Sequence, residues 1–525
     1  MKKFSIYRFL KTALCVISII AISMLFFLNF AYNARVSYNA SEKVSFEGHI
    51  VKSIIMLVIV AVILFIMSKT KRIVQKISPK MLFIALSALY SIMAIYLIAN
   101  VEPSIRADAG IVFNTAKDFS KGIYTAFERG GYIDRYPHQV GLLFYDSILQ
   151  IFSKVPTVSF ITNFIFVIGI NYFTVKIADL VFKNKTTTLI TTFVAFSFLP
   201  QFFFILFAYG LIPGFFFMTL GFYNAIKFSY EKRIPNAVYA VIGASVAAFF
   251  KQNFLIGAIA ILIYLILRLF AERGKEKLKF LVVALCLVAF LFVPTEAVKI
   301  YYRAKTDTKL DQGTPAILWV AMGTDIDNRY LGPGWYTGFN YSGYTQSEYN
   351  SEKATELGIK KLEENIAKIK AEPKKAMDFF IDKTKSQWCE PMFQSVWSGP
   401  LEDCNQKTHT DLLRSIYTGK RAESVVASWS KAILITVIFF TFVFLLCGSG
   451  KHDGWEIALM FIVGGLIFHT FWEGKSQYTY PYVFTLIPFA CHGIKITSLK
   501  FGSVLQKKNR TSVDSEQCDA NEISQ

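Results

Sequence analysis

The chain has 525 residues, 54% of them apolar, and includes 51 Phe and 26 Tyr. This composition excludes an ordinary water-soluble domain. The net charge of +19 would indicate a nucleic-acid partner in a soluble protein, but here Lys and Arg form short clusters between apolar runs, a pattern that sets membrane topology. The expected surroundings are therefore a lipid bilayer, and no nucleic-acid partner is expected.

Apolar runs long enough to cross a bilayer recur along the chain. The first follows Lys2 and Lys3, and it is too long for a signal peptide, so a retained helix is predicted. Hydropathy and loop charge together predict about a dozen membrane-spanning helices. They are residues 9–31, 50–68, 80–99, 158–182, 187–205, 209–228, 236–250, 253–270, 280–297, 431–448, 455–472 and 477–497.

The charge clusters orient these spans. With the N-terminus inside, the positive clusters fall on cytoplasmic segments, as they do in membrane proteins generally. The short apolar stretch 140–152 carries Asp146, and a full crossing there would invert the charge rule for everything that follows. It is predicted to be a re-entrant or surface-lying helix on the outer side. Residues 101–156 and 298–431 are then both external.

The second external segment has the pattern of a small domain. A loop rich in Gly, Pro and Tyr precedes an amphipathic helix through Leu357, Leu362 and Ile366, and Pro373 starts another helix toward Trp388. The predicted fold is an all-α polytopic membrane protein with a small, mainly helical extracytoplasmic domain. Its parts are two N-terminal spans (1–79), a transmembrane module with the external loop (80–297), the extracytoplasmic domain (298–430), C-terminal spans (431–497) and a disordered cytoplasmic tail (498–525).

Motifs for metals and nucleotides are weak or missing. The seven cysteines have no metal-binding spacing. Cys389 and Cys404 share the predicted external domain, and a disulfide between them is left open. Asp325 and Asp327 form a D-x-D pair, but such pairs are common by chance, and no metal site is predicted. The sequence has no P-loop, GxGxxG or HExxH motif, which argues against ATP-driven transport.

Charged residues near the outer ends of spans are functional candidates, because each is costly at hydrocarbon depth. Asp108 follows the third span and could act as a general base, with Arg106 keeping it ionised. A solvated loop carboxylate is the plainer alternative. Arg135 and His138 could hold an anionic headgroup, although a turn pinned by Pro137 would explain this segment equally well.

Two further candidates lie at predicted outer helix junctions. Lys251 breaks the topology rule, which is explained either by a phosphate ligand or by a lysine that extends to the membrane surface. Glu473 and Lys475 lie in the segment 473–481, and two interpretations are open: they bind a ligand, or they simply pair with each other.

The order of these features resembles the GT-C superfamily of polytopic glycosyltransferases. It is most similar to the bacterial relatives of protein O-mannosyltransferases and the aminoarabinose transferase, often labelled family 39, of the Gram-positive cell-envelope type. The resemblance is carried by the outward Asp108 and by four short segments. These are 136–142 (YPHQVGL), 317–323 (ILWVAMG), 385–388 (KSQW) and 473–482 (EGKSQYTYPY).

The resemblance implies an inverting, metal-independent transfer of a sugar from polyprenyl phosphate to a cell-envelope polymer, lipid or protein. It places the reaction outside the bacterial cytoplasmic membrane and requires no cofactor. Asp108 matches the acid that deprotonates the acceptor. Ala109 departs from the family pattern, which often has a second acid there, and Gln477 replaces the Arg of R-Y-x-x-P. The implied donor-binding residues are Lys251, Arg135, His138, Glu473, Lys475 and Tyr478.

A transporter or flippase for envelope precursors is the main alternative, and an inactive scaffold protein is another. Transporters place polar groups near the bilayer midplane on broken helices. Here the candidate groups cluster at the predicted outer rim, which favours the enzyme.

Overall fold

The computed structural model describes residues 6–70, 76–310 and 312–500. Several sequence predictions concern residues outside these ranges, namely the basic residues Lys2, Lys3, Lys71 and Arg72 and nearly all of the tail 498–525.

Helices make up 76% of the structure, which confirms a mainly helical, multi-pass membrane protein. The first six are α1 (Ile6–Ala31), α2 (Ile50–Lys69), α3 (Pro79–Ala99), α4 (Ala107–Phe119), α5 (Tyr132–Arg135) and α6 (Val140–Phe152). The next eight are α7 (Thr157–Phe182), α8 (Lys185–Ser197), α9 (Leu199–Phe203), α10 (Leu211–Glu231), α11 (Ile234–Phe250), α12 (Leu255–Ala271), α13 (Gly274–Phe290) and α14 (Val293–Thr306). The last nine are α15 (Ile317–Thr324), α16 (Phe339–Gln346), α17 (Ser351–Ala371), α18 (Pro373–Trp388), α19 (Asp411–Tyr417), α20 (Arg421–Cys447), α21 (Trp455–Phe471), α22 (Tyr480–Thr485) and α23 (Ile487–Lys500).

Eleven of the predicted spans coincide with a helix or with a bent helix pair, and the span 280–297 covers the end of α13 and the start of α14, which together count as one candidate span. Among the described residues, 8 helices are long and apolar enough to cross a membrane, or up to 10 if each bent pair is one span. The pairs α8 with α9 and α22 with α23 both bend by 50°. Pro200 and Pro488 lie just after these bends, where a residue without an N–H cannot continue the helical hydrogen bonds. The other two predicted spans correspond to the shorter apolar helices α11 and α21.

A β-hairpin between α1 and α2 was not predicted. Strands β1 (Tyr32–Val36) and β2 (Val44–Gly48) pair antiparallel, with Val36 opposite Val44. The hairpin packs on the domain predicted to be external, since Ala34 N–H donates to the Cys389 carbonyl and Val44 N–H to the Leu331 carbonyl. It therefore links the start of the chain to the later domain.

The later domain contains both helices predicted for it, α17 and α18. The D-x-D acids lie in ion pairs, because Lys361 contacts Asp325 at 2.9 Å and Lys368 contacts Asp327 at 2.6 Å. Cys389 is buried and Cys404 is exposed, and both are free thiols. The disulfide left open by the sequence is not formed.

Residues predicted to lie on opposite sides of the membrane occupy opposite ends of the bundle. At one end, Lys11 pairs with Asp453, Arg268 contacts Asp453 at 3.1 Å, and Lys232 contacts Glu272 at 2.5 Å. Lys11 and Lys232 were both predicted to lie on cytoplasmic segments. The candidate site forms at the other ends of helices α11, α12 and α21.

Candidate active site

Asp108 lies in the first turn of α4, with its side chain exposed. The chain enters this helix through Ala107 at φ 53°, in the left-handed region that costs a residue with a side chain about 1–2 kcal/mol. Arg106 forms no ion pair with Asp108 among the described residues, although the sequence predicted that it keeps Asp108 ionised. Its guanidinium instead stacks 4.0 Å from the centre of the Trp397 ring and donates to the Trp397 and Gly399 carbonyls.

Lys251 lies between α11 and α12, where two glycines allow close packing. A Cβ at Gly141 would lie 1.9 Å from the Phe249 carbonyl oxygen, and one at Gly210 would lie 2.6 Å from that of Phe250. Only glycine lets α6 and the turn before α10 approach the end of α11 so closely. These contacts bring the neighbours of both glycines next to Lys251.

The Lys251 side chain is half-buried, and its ammonium lies against aromatic rings. Its Nζ lies 4.2 Å from the centre of the Tyr209 ring and 5.7 Å from that of Tyr478. It has no ion pair within 4 Å among the described residues. Burial lowers the pKa of Lys251 to about 8, while Asp108 and Glu473 favour its charged form. It is therefore a cation with no salt-bridge partner, close enough to Asp108 to feel its charge.

The segment after α21 is held rigidly by the later domain. Gly474 N–H donates to the Gly334 carbonyl at 2.8 Å, and Ser476 Oγ donates to the buried Glu390 carboxylate at 2.9 Å. Thr479 Oγ1 donates to the Gln387 carbonyl at 2.8 Å. These bonds fix the backbone on both sides of Lys475.

Glu473 and Lys475 do not form the simple pair considered from the sequence. Lys475 Nζ instead contacts both carboxylate oxygens of Glu42, at 3.0 and 3.1 Å. Burial raises the pKa of the Glu473 carboxyl to about 7, against the opposing effect of Lys475. Burial acts to lower the pKa of Lys475, but Glu42 and then Glu473 raise it above its ordinary value. Lys475 thus stays charged, while Glu473 titrates near neutrality.

These groups form one electrostatic cluster, which we call the rim cluster: Asp108, Lys251, Glu473, Lys475 and Glu42. Asp108 influences the titration of both lysines and of Glu473. Two tyrosines, Tyr209 and Tyr478, lie against the cluster. The charges of Asp108 and Glu473 affect the titration of both. An exposed acid whose charge acts on an unpaired cation is suited to proton abstraction near a bound anion.

The two other predicted ligands lie at the edge of the rim cluster. The Arg135 guanidinium stacks 4.7 Å from the centre of the Tyr341 ring. Its charge also affects the titration of Tyr336, as do the charges of Asp108 and Glu473. Burial, and then Lys251, lower the pKa of His138 to about 4. His138 is therefore neutral at physiological pH. A neutral imidazole still has one N–H to donate, so its role in holding an anionic headgroup stays a prediction.

A narrow pocket adjoins the rim cluster beside the entry to α4. Its volume is about 40 Å³, and its lining includes Phe160, Leu206 and Phe207 together with Arg106 and Trp397. This volume holds only a few water molecules.

Two parts of the site were missed by the sequence analysis. Glu42 lies in the unpredicted hairpin, whose strands YNARV and VSFEG bury Ala34 and Val36 in alternation. That period-two pattern was the available signal. Tyr209 lies directly before Gly210, in a turn between two apolar helices, and no motif marks it.

The fold and the rim cluster define a multi-pass helical membrane protein with a charged site at one end of its bundle. Compared with protein-family models, curated protein sequences and solved structures, the chain gives no significant match. The resemblance to GT-C glycosyltransferases therefore stays a prediction.

Proposed function

We propose that this protein is an integral membrane glycosyltransferase. It takes a sugar from a polyprenyl-phosphate donor and transfers it to a cell-envelope acceptor. The reaction takes place on the outer face of the bacterial cytoplasmic membrane. The observation that carries the proposal is the exposed Asp108, whose charge acts on Lys251, a cation without an ion pair among the described residues.

The chemistry needs both groups. An acceptor hydroxyl is a weak nucleophile at neutral pH, so a carboxylate must take its proton as the new bond to the sugar forms. The phosphate leaves with increased negative charge and needs a positive partner fixed in advance. Asp108 supplies the base and Lys251 the cation.

The proposal is tested by Asp108→Asn, which keeps size and hydrogen bonding but cannot accept a proton. Transfer from a polyprenyl-phosphate sugar to envelope acceptors should fall by about 10²- to 10⁴-fold. Asp118→Asn is the matched control, because Asp118 lies on the same helix and pairs with Lys121 at 3.2 Å. Near-normal transfer by purified Asp108→Asn would rule out the assigned base.

A transporter for envelope precursors is the second candidate, and one observation favours it. In the middle of α7, Asn171 accepts a hydrogen bond from Gln201, which accepts one from Tyr480. Gln201 and Tyr480 belong to the two bent pairs, and broken helices with polar groups are typical of transporters. Translocation of a labelled prenyl phosphate across vesicles, undiminished in Asp108→Asn, would favour this candidate.

A further inference from the structure

We infer that Glu42 determines the charge of the anionic ligand that the rim cluster accepts, favouring a phosphodiester with one negative charge over a diphosphate with two. The inference rests on the proposed function, because it concerns the same donor site. It assigns a specificity role to the hairpin between the first two helices.

The first step is the geometry of the Glu42 carboxylate. Glu42 is only 7% exposed, and both of its oxygens contact Lys475 Nζ. Gln394 Nε2 also donates to Oε1 of Glu42, at 3.4 Å. A carboxylate bound in this way neutralises Lys475 from within the protein.

The second step is the backbone that holds this contact. Glu42 has φ 50° and its partner Gln394 has φ 55°, so both residues lie in the left-handed region. Such conformations persist only where the surrounding structure enforces them, and they are enriched at functional sites. Here the hairpin tip is tied down by the Trp397 indole, which donates to the Asn39 carbonyl at 2.9 Å. The Glu42 carboxylate is thus held in place, whereas a surface side chain would be free to move away.

The third step is the charge left for a ligand. The charge of Lys475 is balanced by Glu42. The other lysine of the rim cluster, Lys251, has no ion pair within 4 Å among the described residues. One unmatched cation suits one phosphate charge. A second phosphate charge would be repelled by Asp108 and Glu42. The guanidinium of Arg135, at the edge of the rim cluster, is stacked on Tyr341. Removing the Glu42 charge would release Lys475 for that second phosphate.

The test compares the binding of two ligands with fixed charge. Farnesyl methyl phosphate carries one charge, and the corresponding diphosphate with a methylated terminal phosphate carries two. In Glu42→Gln the ratio of affinities should shift toward the diphosphate by about tenfold. Each negative charge of the ligand is then no longer repelled by Glu42, so the ligand with two charges gains more affinity than the ligand with one. In Lys475→Met it should shift the opposite way. Glu47→Gln, an exposed acid in the same hairpin, should leave the ratio unchanged.

The outcomes separate this inference from the proposed function. If both ligands bind in a Lys251-dependent manner but Glu42→Gln leaves their ratio unchanged, the specificity role is wrong while the donor site stands. If Lys251→Met binds both ligands as well as the wild type does, the donor site and the inference fail together. Should Glu42→Gln fold poorly, the ratio in Lys475→Met decides alone, because a shift toward the diphosphate there would overturn the inference.

Discussion

At the scale of single residues, Lys251 and Glu473 give the site a pH signature. Below pH 7 the Glu473 carboxyl is mostly protonated and Lys251 is charged, since their pKa values are about 7 and about 8. As the pH rises, Glu473 becomes negative and Lys251 then loses its proton. Both changes weaken anion binding, so the affinity for a phosphodiester should be highest below pH 7.

We expect the affinity for farnesyl methyl phosphate to fall by about tenfold or more between pH 6.5 and pH 9, because about a tenth of Lys251 is still charged one unit above its pKa. Isothermal titration calorimetry can measure this profile, and the charge of the ligand does not change over the range. Lys251→Arg should remove the fall in affinity near pH 8, and Glu473→Gln should remove the fall near pH 7. A flat wild-type profile would contradict both roles.

Ala107 carries backbone strain directly beside the proposed base. Its φ of 53° is unfavourable for alanine and acceptable for glycine. Ala107→Gly should therefore raise the free energy of unfolding in detergent by about 0.5–1 kcal/mol. Ala109→Gly is the control: Ala109 is buried in the same helix with an ordinary φ, and glycine there should cost about 1 kcal/mol. Equal effects of the two changes would show that Ala107 is not strained.

At the scale of helices and strands, the success of the sequence predictions followed the strength of local signals. Long apolar runs and the proline-started helix α18 were predicted close to their observed bounds, because length and capping are encoded locally. The hairpin was missed because each strand has 5 residues and only weak alternation. The bends after α8 and α22 were also missed, although Pro200 and Pro488 were visible in the sequence.

The rim cluster could be predicted only in part, for the same reason. Asp108, Lys251, Glu473 and Lys475 stood out because charge is expensive near hydrocarbon, and the structure does bring them together. The partner of Lys475 could not be predicted, since Glu42 is 433 residues away in the chain. The pairing of Lys475 with Glu42 depends on tertiary packing, which no local sequence pattern indicates.

Lys383 joins two helix ends next to the site. Its buried ammonium donates to the carbonyls of Gly323 at 2.6 Å, Thr470 at 3.0 Å and Trp472 at 2.6 Å. These carbonyls lie at the ends of α15 and α21, where the last peptide groups lack partners within the helix. Lys383 therefore holds in place the backbone that leads into Glu473.

Lys383→Met should lower the free energy of unfolding by about 3 kcal/mol or more, because it leaves buried carbonyls unsatisfied. Lys374→Met, at an exposed position of the same helix, should change it by less than about 0.5 kcal/mol. Thermal unfolding of both variants in one detergent provides the comparison. A loss confined to activity, with unchanged stability, would instead indicate a direct role for Lys383.

At the scale of the whole molecule, two native cysteines report on orientation. Cys404 and Cys447 are both exposed. Cys404 lies in the domain predicted to be external, and Cys447 ends α20 on the side predicted to be cytoplasmic. In intact cells a membrane-impermeant maleimide should label Cys404 alone, and Cys447 should react only after permeabilisation. Variants that retain one cysteine each keep the signals separate, and the reverse pattern would invert the topology.

The hairpin also has a consequence for how the protein is made. Arg35 contacts Glu423 at 2.9 Å across 388 residues of chain, and Glu42 meets Lys475 across 433. At about 5–20 residues per second, the ribosome needs roughly 20 to 90 s to supply these partners. During that time the hairpin has been synthesised, but the surface it docks on does not yet exist. The rim cluster is thus assembled last, and a ribosome that stalls before α21 leaves a chain without it.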